Sequence, residues 1–241
     1  MRIITWNCNI SAAIRSSQTA AKQFVNKCTH IEELQPDIAV YQEMAQPDPV
    51  STTNYIWHGD SLNRGIAVCA HKDYHLEAVD LGAPLRSVLP VRVIGEIEFN
   101  LLAVWSRPEK TSYRNYVQEI LGGLEIHREF LKSGPSVVAG DFNSNARWNK
   151  DAGKINHASL MEVLENDFGL VSAYHTKFEL EHGEELEPTF HMYRHADKGF
   201  HIDYYFVPNS WQIATVEIGE LSDWKANSDH CPLIINVISR K

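Results

Sequence analysis

Asp141 and Asn143 stand two apart at the end of the run Val137-Val138-Ala139-Gly140-Asp141-Phe142-Asn143-Ser144-Asn145. The three small apolar residues read as a buried strand, and Gly140 marks where the backbone turns. Residues two apart on extended chain face the same side. A carboxylate able to handle a proton or a cation therefore lies beside an amide able to donate to an anion. Gly, Asp, Asn and Ser are also the usual turn residues, so this stretch alone reads equally well as a plain turn. Other strand ends repeat the pattern. Asn7 and Asn9 close the N-terminal strand, Glu43 closes the next, Asp203 sits in the apolar run 201–208, and Asp229-His230 leads into the last strand. An acid among aromatic and branched residues is costly unless it is paired, which singles out Asp203. Carboxylates and amides around one histidine, with no Ser or Cys in a nucleophilic setting, point to oxygen-ligand metal chemistry. Mg²⁺ takes one or two carboxylates together with water and substrate phosphate oxygens. Phosphoryl transfer to water needs a cation for the developing charge, a group to deprotonate water and donors to the equatorial oxygens. The inventory holds all three.

The elements that must position these residues alternate in type. A strand over residues 2–7 is followed by a helical pattern over 19–34, with Thr19 as N-cap and Pro36 beyond its end, and by a strand over 37–43. This is a βαβ unit, and it places Glu43 at the same sheet end as Asn7. Short strands without helices follow at 65–71, 76–79, 88–94 and 98–105, separated by turn-like segments such as Leu81-Gly82-Ala83-Pro84. Residues 113–132 carry a helical stripe through Tyr116, Val117, Ile120, Leu121, Leu124 and Phe130; Gly122 and Gly123 either weaken it or permit close packing. A third helix is expected over 156–167 with Gly169 beyond it, then strands over 170–175, 201–208, 213–218 and 233–238. Glu179, Glu181, Glu184, Glu185 and Glu187 crowd a stretch that reads as a solvated acidic loop.

The chain has 241 residues, 44% hydrophobic and 22% charged, with no repeat and no linker long enough to separate domains, so a single α/β domain over 1–241 is expected. Its net charge of −9 disfavours a protein that grips long duplex by counterion release. It leaves room for a short or single-stranded substrate. No apolar stretch is long enough to span a membrane and no signal-peptide pattern opens the chain, which reads as cytosolic. Cys8, Cys28, Cys69 and Cys231 are far apart and read as reduced, mostly buried thiols. A Cys231–His230 nucleophilic pair is disfavoured because strand neighbours point to opposite faces. His191 and His195, four apart, lack a clear third zinc ligand.

Five motifs, Thr5-Trp6-Asn7-Cys8-Asn9, Pro36-Asp37-Ile38 through Gln42-Glu43, Gly140-Asp141-Phe142-Asn143, Ile202-Asp203-Tyr204 and Ser228-Asp229-His230-Cys231-Pro232, occur in one order over nearly the whole chain. In them the sequence resembles the endonuclease/exonuclease/phosphatase superfamily, and the stretch Gly140–Trp148, with Leu170–His175, Pro188-Thr189-Phe190 and His201-Ile202-Asp203-Tyr204, looks like a bacterial branch of it whose substrate the resemblance does not name. The resemblance implies a deoxyribonuclease I-like fold: a four-layer α/β sandwich of two stacked mixed sheets flanked by helices. It implies that Glu43 is the principal Mg²⁺ ligand, helped by Asn9 and Asp229, with Mn²⁺ as a substitute. His230 is similar to the histidine that meets the scissile phosphate or activates water, and Asp203 to the carboxylate that orients it. Asp141 resembles the acid that handles the proton, and Asn143 and Asn7 the phosphate donors; Asp141 and His230 share the role of base. Two departures stand out. Asn9 replaces a common Asp, which puts a second metal in doubt, and Ala103-Val104-Trp105-Ser106 lacks the Thr-His pair of many relatives. Tyr113 stands where some relatives place a tyrosine near the phosphate. Arg147 and Trp148, with Lys150 and Lys154, follow the Asp141 loop and are candidates to grip a phosphate and stack a base.

The expected activity is Mg²⁺-dependent hydrolysis of phosphodiesters, in a nucleic acid or nucleotide, with no obligate protein partner. A small-molecule phosphomonoesterase acting on a nucleotide, inositol or lipid phosphate is the enzymatic alternative. A non-catalytic phosphate-binding domain is the alternative from another class.

Overall fold

In the computed structural model, the described residues are 1–10, 27, 29–46, 54–62, 64–71, 73–79 and 86–238. Two six-stranded mixed sheets stack face to face. The strands of the first are β1 (Arg2–Ile10), β2 (Ile38–Met44), β3 (Tyr55–Ser61), β4 (Arg64–Ala70), β13 (Gln212–Ile218) and β14 (Leu233–Ile238), in the order β13-β14-β1-β2-β4-β3. The second holds β5 (His75–Ala78), β6 (Val88–Ile94), β7 (Phe99–Trp105), β8 (Ser136–Asp141), β9 (Leu170–Ser172) and β12 (Asp203–Pro208), in the order β5-β6-β7-β8-β12-β9. A small ribbon pairs β10 (Phe190–His191) with β11 (Gly199–Phe200). Each large sheet has one parallel pair at its centre, β1 with β2 and β7 with β8, and every other pairing is antiparallel. Read from β13 and from β9 respectively, the two sheets have the same sequence of pairings.

Alternation along the strands builds the layers. Ile3, Ile38, Val40, Val137, Ala139, Tyr205 and Val207 point between the sheets and join one core. Their neighbours point outward: Val138, Tyr204 and Phe206 meet the helices over the second sheet, and Trp6, Ala39 and Tyr41 pack with Ile31 and Trp224 over the first. The result is helix, sheet, sheet, helix, the four-layer sandwich expected. No helix among the described residues is long and apolar enough to cross a membrane.

Helix α1 (Tyr113–Ile126) starts at Ser112, whose side chain accepts from the Asn115 amide. It buries Val117, Ile120 and Leu124. Gly123 lies against Val88, where a Cβ would come within 2.8 Å of its methyl, while Gly122 has nothing within 4 Å. Close packing therefore explains one glycine of the pair. The expected single helix to residue 132 is broken at His127 (ψ 15°), and a separate five-residue helix, Arg128–Lys132, follows. Helix α2 (His157–Phe168) is framed by a capping box between Asn156 and Ser159 and by Gly169 at φ 66°.

Three expectations change. Residues 170–175 are not one strand: β9 stops at Ser172 and helix α3 (Ala173–Phe178) begins. Tyr174 and His175 are both buried, Tyr174 among the inter-sheet core and His175 beside Glu185. The acidic stretch is not wholly solvated either, because Glu185 is buried while Glu179, Glu181, Glu184 and Glu187 are exposed. Strand β3 is an element the sequence pattern did not single out. Of the helix expected over 19–34, residues 27 and 29–33 are helical and the greater part, with Thr19 and Cys28, lies outside the described residues, as does the turn at 81–84.

Candidate active site

The inter-sheet faces converge at one end on a hydrogen-bonded chain. Asp141 ends β8 and lies opposite Asp203, the first residue of β12. Both occupy the face that carries Ala139 and Tyr205, so period-two alternation aims both carboxylates between the sheets. From the other sheet Asn7, on the face of Ile3, donates Nδ2 to Asp141 Oδ2 at 3.0 Å and stands 3.4 Å from Glu43 Oε1. Asn143 donates its backbone N–H to Asp141 Oδ1 at 2.9 Å and its amide to Oδ2 at 3.1 Å.

The strand does not stop at Gly140 as expected: Gly140 lies inside β8, paired with Val104 and Tyr204, at φ 143°, and any Cβ there would sit 1.9 Å from the Val104 carbonyl oxygen. No other residue fits that position.

Glu43 reaches the site by an irregularity. Plain alternation would send it to the face opposite Gln42, which pairs with Thr5 between the sheets. Register shifts in both the β1–β2 and β2–β4 pairings, with φ 54° at Glu43, turn it back. Asn9 (φ 46°) and Asn143 (φ 48°) also adopt left-handed backbone. Strained backbone thus collects at three of the candidate residues.

His230 precedes β14 and is held from three sides. Its N–H donates to Ser228 Oγ, its carbonyl accepts from Trp6 Nε1, and Phe190 packs on its ring at 4.8 Å. Its Nδ1 lies 2.9 Å from Asp203 Oδ2, and its Nε2 faces Asp141 Oδ2 at 4.0 Å. Thr189 Oγ1 accepts from the backbone of Ile202 and Asp203. Asp203 Oδ1 is buried and, among the described residues, accepts no hydrogen bond.

The charges follow from this packing. Burial, then the neighbouring Asp203 charge, push Asp141 up to about 7 against the pull of His230, Asn7 and Asn143. Burial would lower His230, but Asp203, by charge and hydrogen bond, with Asp141 and Asp229 behind it, pushes it up to about 9. An imidazolium thus stands beside a carboxyl poised to exchange a proton near neutrality.

The Glu43 end carries oxygen donors and cations. Glu43 Oε2 is 3.0 Å from the Arg64 guanidinium, which also reaches Asn9 Oδ1 at 3.5 Å. Lys27, buried, donates to the carbonyls of Cys8 and Asn9; burial lowers its pKa, opposed by Asp229 and Glu43 among its neighbours. One carboxylate with amide oxygens beside it suits Mg²⁺, which takes one or two carboxylates. The two side-chain cations beside them mark an end that attracts positive charge.

The candidate substrate residues lie just beyond. Tyr113, exposed, stacks on Trp148 at 4.8 Å, and Trp148 also meets Phe200. Arg147, exposed, spends two of its five donors on the carbonyls of Gly183 and Glu185, which fastens it to that loop. Cys231 is buried and its thiol is pushed up to about 12, in keeping with no nucleophilic role. Arg64 and Lys27 were missed by sequence reasoning, since long cationic side chains reach the site from outside its motifs. A cation expected to balance Glu43 was the only available signal.

No family model and no curated protein matches the sequence. Solved structures do match. A functionally unknown conserved protein from Enterococcus faecalis is similar with TM-score 0.70 at 16% identity over 100% of both chains. D. rerio TDP2 complexed with single strand DNA product matches with TM-score 0.69 at 13% identity over 99% of both chains. The 3' phosphatase NExo from Neisseria, bound to product DNA hairpin, matches with TM-score 0.66 at 20% identity over 99% of both chains. NExo is also described as a 3'-5' exonuclease from Neisseria meningitidis. At these identities the likeness is one of fold.

Proposed function

On a fold of the deoxyribonuclease I type, we propose that this chain is a metal-dependent phosphoester hydrolase cleaving phosphodiesters in a short or single-stranded nucleic acid or a nucleotide. The observation that carries the reading is the continuous chain Glu43–Asn7–Asp141, facing His230–Asp203, assembled from both sheets. Its members are the residues that the sequence motifs single out. Glu43, Asp229 and the Asn9 end would hold Mg²⁺, with Mn²⁺ able to replace it; the ion supplies charge neutralisation for the phosphoryl group.

The side chains divide the remaining work. Asp141, held near neutrality, accepts a proton from the attacking water as the new P–O bond forms and the bond to the leaving oxygen breaks. His230, kept charged by Asp203, is a donor to a non-bridging oxygen and not the base. Asn7 and Asn143 orient Asp141 and present amide donors beside it. The nucleic-acid preference rests on the DNA products in two of the similar structures and on the exposed Tyr113–Trp148 stack. The net charge of −9 favours short over long duplex substrates.

The test compares wild type with His230→Ala on bis(p-nitrophenyl) phosphate and p-nitrophenyl phosphate in Mg²⁺, Mn²⁺ or EDTA. Metal-dependent diester cleavage that drops at least about a hundredfold in the variant is expected. Monoester-only turnover would move the reading to a phosphatase. Binding of a nucleotide without turnover in either metal would leave a phosphate-binding domain.

A further inference from the structure

A second polar cluster lies on the outer face of the same sheet, and the proposed chemistry does not use it. His157 comes from α2, His175 from α3, and His182 and Glu185 from the loop that follows. Tyr204, whose ring meets His157, His175 and His182, forms its floor. His175 Nε2 lies 3.1 Å from Glu185 Oε1, and His157 Nε2 lies 3.1 Å from His182 Nδ1. The His175 and His182 rings stack at 3.6 Å between centroids. One ligand atom from each of His175, His182 and Glu185 can be chosen with all three within 4.8 Å of one another.

We propose that His175, His182 and Glu185 form a three-ligand zinc site, backed by His157 against His182, that fastens the loop after β8. Ligand atoms at the Zn–N and Zn–O bond lengths of a tetrahedral site are about 3.3 Å apart, close to the 3.1 Å between His175 Nε2 and Glu185 Oε1. Imidazole with a single carboxylate selects zinc over magnesium, which prefers all-oxygen surroundings.

On His175, His157 and Glu185 the atom turned away from the centre is already held, as metal ligands require. Ser172 Oγ meets His175 Nδ1 at 2.7 Å, and Ser144 Oγ meets His157 Nδ1 at 3.1 Å. Glu185 Oε2 accepts from Asn145 Nδ2, and the Gly183 amide donates to Oε1. The protonation states also suit a metal. Burial holds His157 down to about 3 and lowers His182. Burial would raise Glu185, but hydrogen bonds from His175, Gly183 and Asn145 keep it ionised. Neutral imidazoles and a carboxylate are the forms that ligate. His175 and His182 also line an open surface cavity of about 490 Å³, which supplies an entry path.

Ser144 and Asn145 belong to the loop that begins at Asp141, and Asn145 also donates to the His201 carbonyl just before β12. An ion bound to the cluster would act on both strands that carry the inter-sheet carboxylates. The experiment is titration of the untagged, chelator-stripped chain with Zn²⁺ by calorimetry in excess Mg²⁺, with Co²⁺ absorption as a reporter of tetrahedral nitrogen and oxygen ligation. One equivalent of Zn²⁺ should bind and raise the Tm. Affinity should fall at least about a hundredfold in His182→Ala and in Glu185→Gln, and by about 10- to 100-fold in Ser172→Ala. Glu43→Gln should leave it unchanged. Circular dichroism establishes that each variant folds, and the conservative Glu185→Gln carries the test where His182→Ala does not. Absence of stoichiometric zinc in wild type, or wild-type affinity in folded Glu185→Gln, would overturn the proposal.

Discussion

The two polar clusters on β12 are near inversions of each other. On the inner face Asp203 and Asp141 surround one histidine, His230; on the outer face His157, His175 and His182 surround one carboxylate, Glu185. Burial alone penalises every charge in both. The minority member escapes that penalty in each case. His230 is raised because two acids face it, and Glu185 is lowered because a histidine and two amides donate to it. The majority members bear the cost: Asp141 is pushed up, and His157 and His182 are pushed down. Composition ratio, not residue type, sets which group keeps its charge. An acid-rich cluster yields a fixed cation with a proton acceptor, suited to phosphate. A histidine-rich cluster yields neutral nitrogen ligands, suited to a metal.

The sharpest break between them is functional. Asp203→Asn should lower diester turnover about a hundredfold or more and leave zinc affinity alone, measured on the same preparation by rate and calorimetry. Glu185→Gln should do the reverse, abolishing zinc binding while turnover changes less than about tenfold. If either variant loses both properties, the clusters form one unit through Asn145 and the comparison fails.

Stability against pH is the next largest contrast, and its sign differs between the faces. His201, beside the outer cluster, is held down to about 4 by burial, so it is neutral when folded and protonated when unfolded below pH 6.5. Its contribution is complete above pH 6.5 and is lost toward pH 4, at about 1.4 kcal/mol per pH unit. His230, raised to about 9, contributes fully below pH 6.5 and loses that contribution as pH rises toward 9, with the same slope. Urea titrations in EDTA should show the acid limb flatten in His201→Gln and the alkaline limb flatten in His230→Gln. Unchanged limbs would show that neither histidine carries the predicted linkage.

The smallest effect is at the rim. Trp148→Ala should raise KM for a single-stranded oligonucleotide about tenfold through lost stacking, and leave bis(p-nitrophenyl) phosphate unaffected. An equal loss on both substrates would place Trp148 in packing and not in base contact.

The inner cluster was legible because period two does most of its work. Asn7, Asp141 and Asp203 each continue an apolar face already visible in their strands, and the motif around His230 completed them. Glu43 was legible as a residue but not as a direction, since a bulge and a left-handed φ bring it round. The outer cluster was not legible. Its histidines lie on two helices and a loop with no shared spacing, and Glu185 is indistinguishable in sequence from the four exposed glutamates around it. The short α3 read as strand because six residues are too few for period alone to separate the two.

The pairing of β14 beside β1 sets a timetable. The first strand acquires β2 early in synthesis, yet its other neighbour is the last strand of this sequence, and His230 arrives only just ahead of it. Met1 and Val237 are tied to each other through two backbone-level hydrogen bonds. Until β14 is in place, β1 lacks one of its two neighbours, and without His230 Asp203 has no imidazole to charge. A chain cut before His230 would therefore hold the acids of the site without the imidazole that they face.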